Sequence, residues 1–187
     1  MLPLIRLVCN KVDWLVIPAS LLMLFGCSTS VSTSDTPASV TRHSVMESQV
    51  PGSPFHKVFS QDADLVVLTF FDLYCVACQQ SADNFNRIPE ALEHALPNER
   101  IQVTGIAIGD TEFELNVFLR KYELAYPCLP DPDKSFEEPF AVRGTPTVLV
   151  FKRINSECLE IYRHEGRLRM SDIDKLVETV RGTDQNN

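Results

Sequence analysis

The run Leu65-Val66-Val67-Leu68-Thr69-Phe70-Phe71 leads, after three intervening residues, into Cys75-Val76-Ala77-Cys78. So short and apolar a run reads as a strand buried on both faces. Behind it, Ala82, Phe85, Ile88, Leu92 and Leu96 fall on one helical face, which predicts a helix from residue 78 to about 96, kinked at Pro89. A chain built this way has to place two cysteines where a buried strand turns into a helix. Two thiols at that junction are able to close a small disulfide ring and reopen it. A lone CxxC is a weak signal. Here the strand before it, the helix after it and the later Gly144-Thr145-Pro146-Thr147 give it weight.

The rest of the domain alternates in the same way. Residues 101–108 read as a second strand, and residues 112–124 as a helix from the spacing of Phe113, Val117, Phe118 and Tyr122. Residues 135–141 read as a short helical turn. Residues 147–151 and 158–162 read as a hairpin around Asn155. Ser171 is the expected cap of a last helix to residue 181, with Asp174 three residues on and Ile173, Leu176, Val177 and Val180 turned inward. This order predicts an α/β fold, a central mixed sheet flanked by helices on both faces.

The N-terminus bears on compartment. Arg6 and Lys11 precede an apolar stretch from Trp14 to Phe25, and Leu24-Phe25-Gly26-Cys27 ends it. The stretch, about 12 residues, falls short of the roughly 20 needed to span a bilayer. Residues 1–26 are therefore expected to be a cleaved export signal; the alternative is an uncleaved helical anchor from Leu2, interrupted by Asp13. Leu-Phe-Gly-Cys resembles the bacterial lipobox, which implies that Cys27 is lipidated and becomes the first mature residue. Ser28, not aspartate, follows it, which favours an outer-membrane lipoprotein facing the periplasm; a Gram-positive surface lipoprotein would carry the same signal. Residues 27–54, rich in Ser, Thr and Pro, read as the lipidated cysteine and a tether. Residues 55–182 then form one domain, and 183–187 a tail. Of the 17 basic and 25 acidic residues, removal of 1–26 takes Arg6, Lys11 and Asp13, so the net charge moves from −8 to −9. That balance opposes binding to nucleic acid or to an anionic membrane through the protein surface.

Phe70 to Cys78, residues 103–109, Tyr126-Pro127-Cys128-Leu129-Pro130-Asp131 and Val142-Arg143-Gly144-Thr145-Pro146-Thr147 together resemble the thioredoxin superfamily, and more closely the membrane-tethered TlpA and ResA-like thiol–disulfide oxidoreductases. The resemblance covers nearly all of residues 60–182. It implies a thioredoxin-like fold, with Pro146 as a cis-proline against the CxxC and backbone groups of Thr145 free to pair with a substrate strand. Tyr74 stands where the family places Trp, and Val76-Ala77 lack the family's proline. Thr69, six residues before Cys75, replaces a buried acid or amide and cannot ionise. Asp72 is either its substitute or a solvated loop residue. The implied partners are thiols and disulfides of exported proteins, apocytochrome c or metal-site assembly proteins among them, and a membrane electron donor. No cofactor is expected.

The chemistry also follows from position. Cys75 at a helix N-terminus would meet unpaired N–H groups and the positive end of the macrodipole, which marks it as the nucleophile. Cys78, one turn on, would resolve the mixed disulfide. Val76-Ala77 add no positive charge, and nothing else marks a strong oxidant, so we expect a reductase.

A zinc half-site would need two further ligands, and His43, His56, His94 and His164 are scattered. An inert structural disulfide is the other alternative for the pair. A thiol peroxidase would have threonine three residues before its cysteine, where Asp72 and Cys75 stand. A Cu(I)-delivery module would use Cys75, Cys78 and Cys128. Four cysteines outside the signal and anchor allow three pairings; we expect Cys128 and Cys158 to be buried and separate, while Cys9 leaves with the signal.

Overall fold

The computed structural model describes residues 58–154 and 157–184. The expected signal, Cys27, the tether and the Asn155 turn lie outside the described residues. The elements in chain order are β1 (Leu65–Phe71), α1 (Val76–Ala95), β2 (Ile101–Ile108), α2 (Glu112–Tyr122), β3 (Cys128–Asp131), β4 (Thr147–Ile154), β5 (Glu157–Glu165) and α3 (Met170–Asp184).

The strands form one mixed sheet in the order β3-β2-β1-β4-β5. β1 pairs parallel with β2, and β2 with β3. β4 is antiparallel to both β1 and β5. All seven residues of β1 are buried, as expected of a central strand with both faces covered. Alternation sends Leu65, Val67 and Phe71 to one face. There they pack with Phe85, Ile88 and Leu92 of α1, Phe118 of α2 and Ile173, Leu176 and Val180 of α3. Val66, Leu68 and Phe70 face the other side, against Ile106, Leu149, Phe151, Phe136 and Phe140.

The mixed sheet is thus as the sequence predicts, but its two faces are covered differently. The three helices share the first face. The second is covered by the segment around residues 134–142, whose helical turns are closed by Glu137 N–H to Lys134 O, Phe140 N–H to Phe136 O and Ala141 N–H to Glu138 O. Residues Val58, Phe59 and Ala63 complete that cover.

Three local expectations need correction. β3 was not foreseen, because four residues containing Pro130 carry no alternation; at the sheet edge the missing N–H of a proline is tolerated. Ser171 is not the cap of α3. Its first turn is instead closed by Asp172, whose carboxylate accepts the Arg169 N–H at 2.9 Å. α3 also runs on to Asp184, past its expected end at Arg181.

Candidate active site

β1 ends at Phe71, and Asp72-Leu73-Tyr74 carries the chain to Cys75, the N-cap of α1. Each part of this short loop is tied down. Asp72 Oδ1 accepts the Tyr74 N–H at 2.6 Å, and the Cys75 N–H reaches Asp72 O at 3.3 Å. Gln79 Nε2 donates to Leu73 O at 2.8 Å, while Asp110 Oδ2 accepts the Leu73 N–H at 2.8 Å. Of the two readings of Asp72, this geometry favours a turn-forming loop residue.

Cys75 is half-buried and Cys78 fully buried, and both are thiols. Cys75 Sγ accepts the Cys78 N–H at 3.3 Å, the bond expected of an N-cap side chain, and its S–H donates to Thr145 O at 3.2 Å. Burial, reinforced by the hydrogen bond with Cys75, holds the Cys78 thiol far above the ordinary range. The Thr145–Pro146 peptide bond is cis. Thr147 Oγ1 donates to Gly144 O at 2.7 Å and closes the loop before β4. Tyr74 projects into solvent, its hydroxyl donating to Glu114 Oε1 at 2.9 Å.

Cys75, Cys78, Tyr74, Thr145 and Pro146 therefore share one end of the sheet. The Cys75 S–H takes up one of the two acceptor positions of the Thr145 carbonyl.

Two features escape sequence reasoning. Asp110, directly after β2, is 1% exposed, and burial pushes its carboxyl up to about 6. The available signal was its place at the end of a strand parallel to β1, the end where functional groups gather in α/β sheets. The second is the environment of Thr69, whose hydroxyl lies 3.0 Å from the hydroxyl of buried Tyr126. The position expected to hold an acid is filled by a neutral pair.

The other two cysteines sit apart, as expected, Cys128 against the first core and Cys158 in the second. Cys158 is buried; Cys128 is only half-buried, a correction, because β3 is an edge strand. Its S–H donates to Tyr126 O at 3.4 Å, and burial pushes the thiol up to about 12. Among the described residues, no three His, Cys, Asp or Glu side chains lie close enough together to hold a metal ion.

The profile of the AhpC/TSA family matches residues 53–159. This chain belongs to the AhpC/TSA family. Its fold is thioredoxin-like, and solved structures with that fold resemble it. A protein from Chlorobium tepidum, provisionally assigned as the thiol:disulfide interchange protein DsbE, is 20% identical with a TM-score of 0.52, over 64% of this chain and 79% of that one. StoA from Bacillus subtilis is 14% identical with a TM-score of 0.50, over 64% and 84%. MTB dsbF, solved in mixed oxidised and reduced forms, is 21% identical with a TM-score of 0.50, over 64% and 81%. These likenesses fit the TlpA and ResA-like resemblance at the level of fold. No curated protein matches the sequence.

Proposed function

We propose that this protein is a thiol–disulfide oxidoreductase of the bacterial cell envelope that reduces disulfides of exported proteins, held to a membrane by lipid on Cys27. The observation that carries the reading is the asymmetry of the pair: a half-exposed Cys75 on a helix N-cap, and a buried Cys78 bonded to it through its N–H.

The Cys75 thiolate attacks one sulfur of the partner disulfide. A Cys75–partner bond forms, the partner's S–S bond breaks, and the other partner sulfur leaves as a thiolate. Cys78 then loses its proton to that departing thiolate and attacks Cys75 Sγ. The Cys75–Cys78 bond forms as the Cys75–partner bond breaks, the second partner sulfur leaves as a thiolate that takes a proton from water, and the partner departs as a dithiol carrying two electrons from the pair. Two influences that hold the Cys78 proton, the hydrogen bond and charge of Cys75, weaken once Cys75 is in the mixed disulfide. Resolution therefore needs no ionisable side chain at Thr69. A membrane electron donor of the same dithiol class restores the pair.

Cys78→Ser should accumulate a mixed disulfide with an oxidised partner, and Cys75→Ser should form none. A reduction potential for the pair near or below about −270 mV supports the reductase direction, and one near about −120 mV would reverse it. Peroxide consumption with no protein disulfide reduced would indicate a thiol peroxidase instead.

A further inference from the structure

Leu168 stands in the corner between β5 and α3 and is fully buried, so its backbone N–H and carbonyl need partners within the protein. Side chains of α1, the helix that Cys75 caps, supply both. Ser81 Oγ accepts the Leu168 N–H at 2.9 Å, and Asn84 Nδ2 donates to Leu168 O at 3.0 Å. The Ser81 hydroxyl, itself fully buried, donates to Ala77 O at 2.6 Å. Ala77 lies between the two cysteines and directly precedes Cys78. Ser81 therefore joins the first turn of α1 to the corner.

Two residues earlier, the corner holds the other half of the site. Gly166, at φ 90°, turns the chain out of β5, and its N–H donates to Pro146 O at 2.8 Å. His164 Nε2 lies 3.1 Å from Gly166 O and 3.3 Å from Arg167 O; two carbonyl acceptors assign the proton to that nitrogen, which ties the corner back to β5. Pro146 follows Thr145, whose carbonyl accepts the Cys75 S–H at 3.2 Å. The contacts close a ring. It runs from Cys75 to Thr145, through Pro146 to Gly166 and Leu168, through Ser81 to Ala77, and along the first turn of α1 back to Cys75.

We propose that Ser81 is a positioning residue for the redox pair: by fixing the first turn of α1 against the Gly166–Leu168 corner, it sets the contact between Cys75 Sγ and Thr145 O and with it the balance between dithiol and disulfide. This inference rests on the oxidoreductase reading above. When a partner disulfide is reduced, the Cys75–Cys78 bond forms, the partner's S–S bond breaks, and two electrons and two protons pass from the pair to the partner side. The S–H that Thr145 accepts exists only in the dithiol, so whatever holds that contact favours the dithiol alone. A serine that only satisfied Leu168 would stabilise both forms alike and leave the balance where it was.

The test equilibrates the full chain with a series of reduced and oxidised glutathione mixtures. Free thiols are trapped by alkylation, and mass spectrometry of the peptide carrying Cys75 and Cys78 reads the fraction of disulfide. Ser81→Ala should raise the equilibrium constant for forming the disulfide about threefold over wild type, the worth of one weak hydrogen bond lost from the dithiol alone. Asn84→Ala removes the donor to Leu168 O from a half-buried position; it should move the constant in the same direction by about twofold, and it carries the test if Ser81→Ala does not fold. Ile88→Val shortens a fully buried side chain of α1 outside the ring, and should lower stability to urea without moving the constant. A constant unchanged or lowered in Ser81→Ala or Asn84→Ala, or raised as far in Ile88→Val as in Ser81→Ala, would overturn the inference. A wild-type pair that does not exchange with glutathione at all would instead refute the oxidoreductase reading.

Discussion

Replacing Asp110 by Asn should stabilise the protein at neutral pH, although it removes a buried side-chain charge that accepts a backbone hydrogen bond. The folded chain raises this carboxyl from 3.8 to about 6, chiefly by burial, with the Leu73 N–H pulling the other way. Between about pH 4 and pH 6 the folded state keeps a proton on Asp110 that the unfolded chain releases, so this group's contribution to stability falls as pH rises through that window. Two units at about 1.4 kcal/mol each give a cost of roughly 3 kcal/mol at neutral pH. Asn cannot ionise, and its carbonyl oxygen still accepts the Leu73 N–H, so the cost disappears while the contact remains. The assay is urea unfolding of wild type and Asp110→Asn at a series of pH values. Taking the difference cancels the opposing slopes from Asp64 and Glu114, whose carboxyls are held below their usual range by Arg100 and by Thr111 respectively. The variant's advantage should grow from near zero at about pH 4 to about 2–3 kcal/mol at pH 7.5. Asp110→Ala is the control. It leaves the Leu73 N–H without its acceptor, so it should fall about 1–3 kcal/mol below Asp110→Asn and slow disulfide reduction more, because the same N–H fixes the loop before Cys75. A difference that stays flat with pH, or an Asn variant less stable than wild type at pH 7.5, would refute the reasoning.

Other perturbations test the surroundings of the site. A Cβ on Gly105 would overlap Cys128 Sγ and lie 2.9 Å from the Phe71 ring; Gly105→Ala should therefore cost about 1–3 kcal/mol in chemical denaturation, and much less when Cys128 is already Ala. Tyr126→Phe leaves the Thr69 hydroxyl without its 3.0 Å partner and should cost about 1 kcal/mol with no change in the rate of disulfide reduction, since resolution does not pass through Thr69. Asp172→Ala frees the Arg169 N–H and should lower stability by about 1 kcal/mol, the usual worth of a helix cap, which thermal unfolding followed by circular dichroism would register.

The motif residues were legible because each carries a local signal. A buried strand, a CxxC and a later Thr-Pro are readable without knowing what they touch. Asp110 carries no such signal, since an aspartate after a Gly reads as an ordinary turn, and only the burial of the β2 end makes it unusual. The pairing of Thr69 with Tyr126 spans 57 residues and depends on the path from α2 into β3. β3 itself was hidden by its length and by Pro130, and the cap of α3 by a stronger-looking serine two residues downstream of Arg169.

What gathers the site is the register of three strands. β1 and β2 run parallel with Phe71 opposite Ala107, so the residues that leave both strands, Asp72 to Cys75 on one side and Gly109-Asp110 on the other, emerge at the same end. β4 runs against β1 with Thr147 opposite Phe70, so the residues that enter it, Thr145 and Pro146, arrive at that end too. A loop leaving the central strand is thus held between a carboxylate from one neighbouring strand and a carbonyl from the other: Asp110 takes the Leu73 N–H, and Thr145 takes the Cys75 thiol. A shift of one residue in either pairing would turn every alternating side chain to the opposite face. The apolar pattern of β1, β2 and β4 that builds the two core layers is therefore also what sets the position of the reactive sulfur.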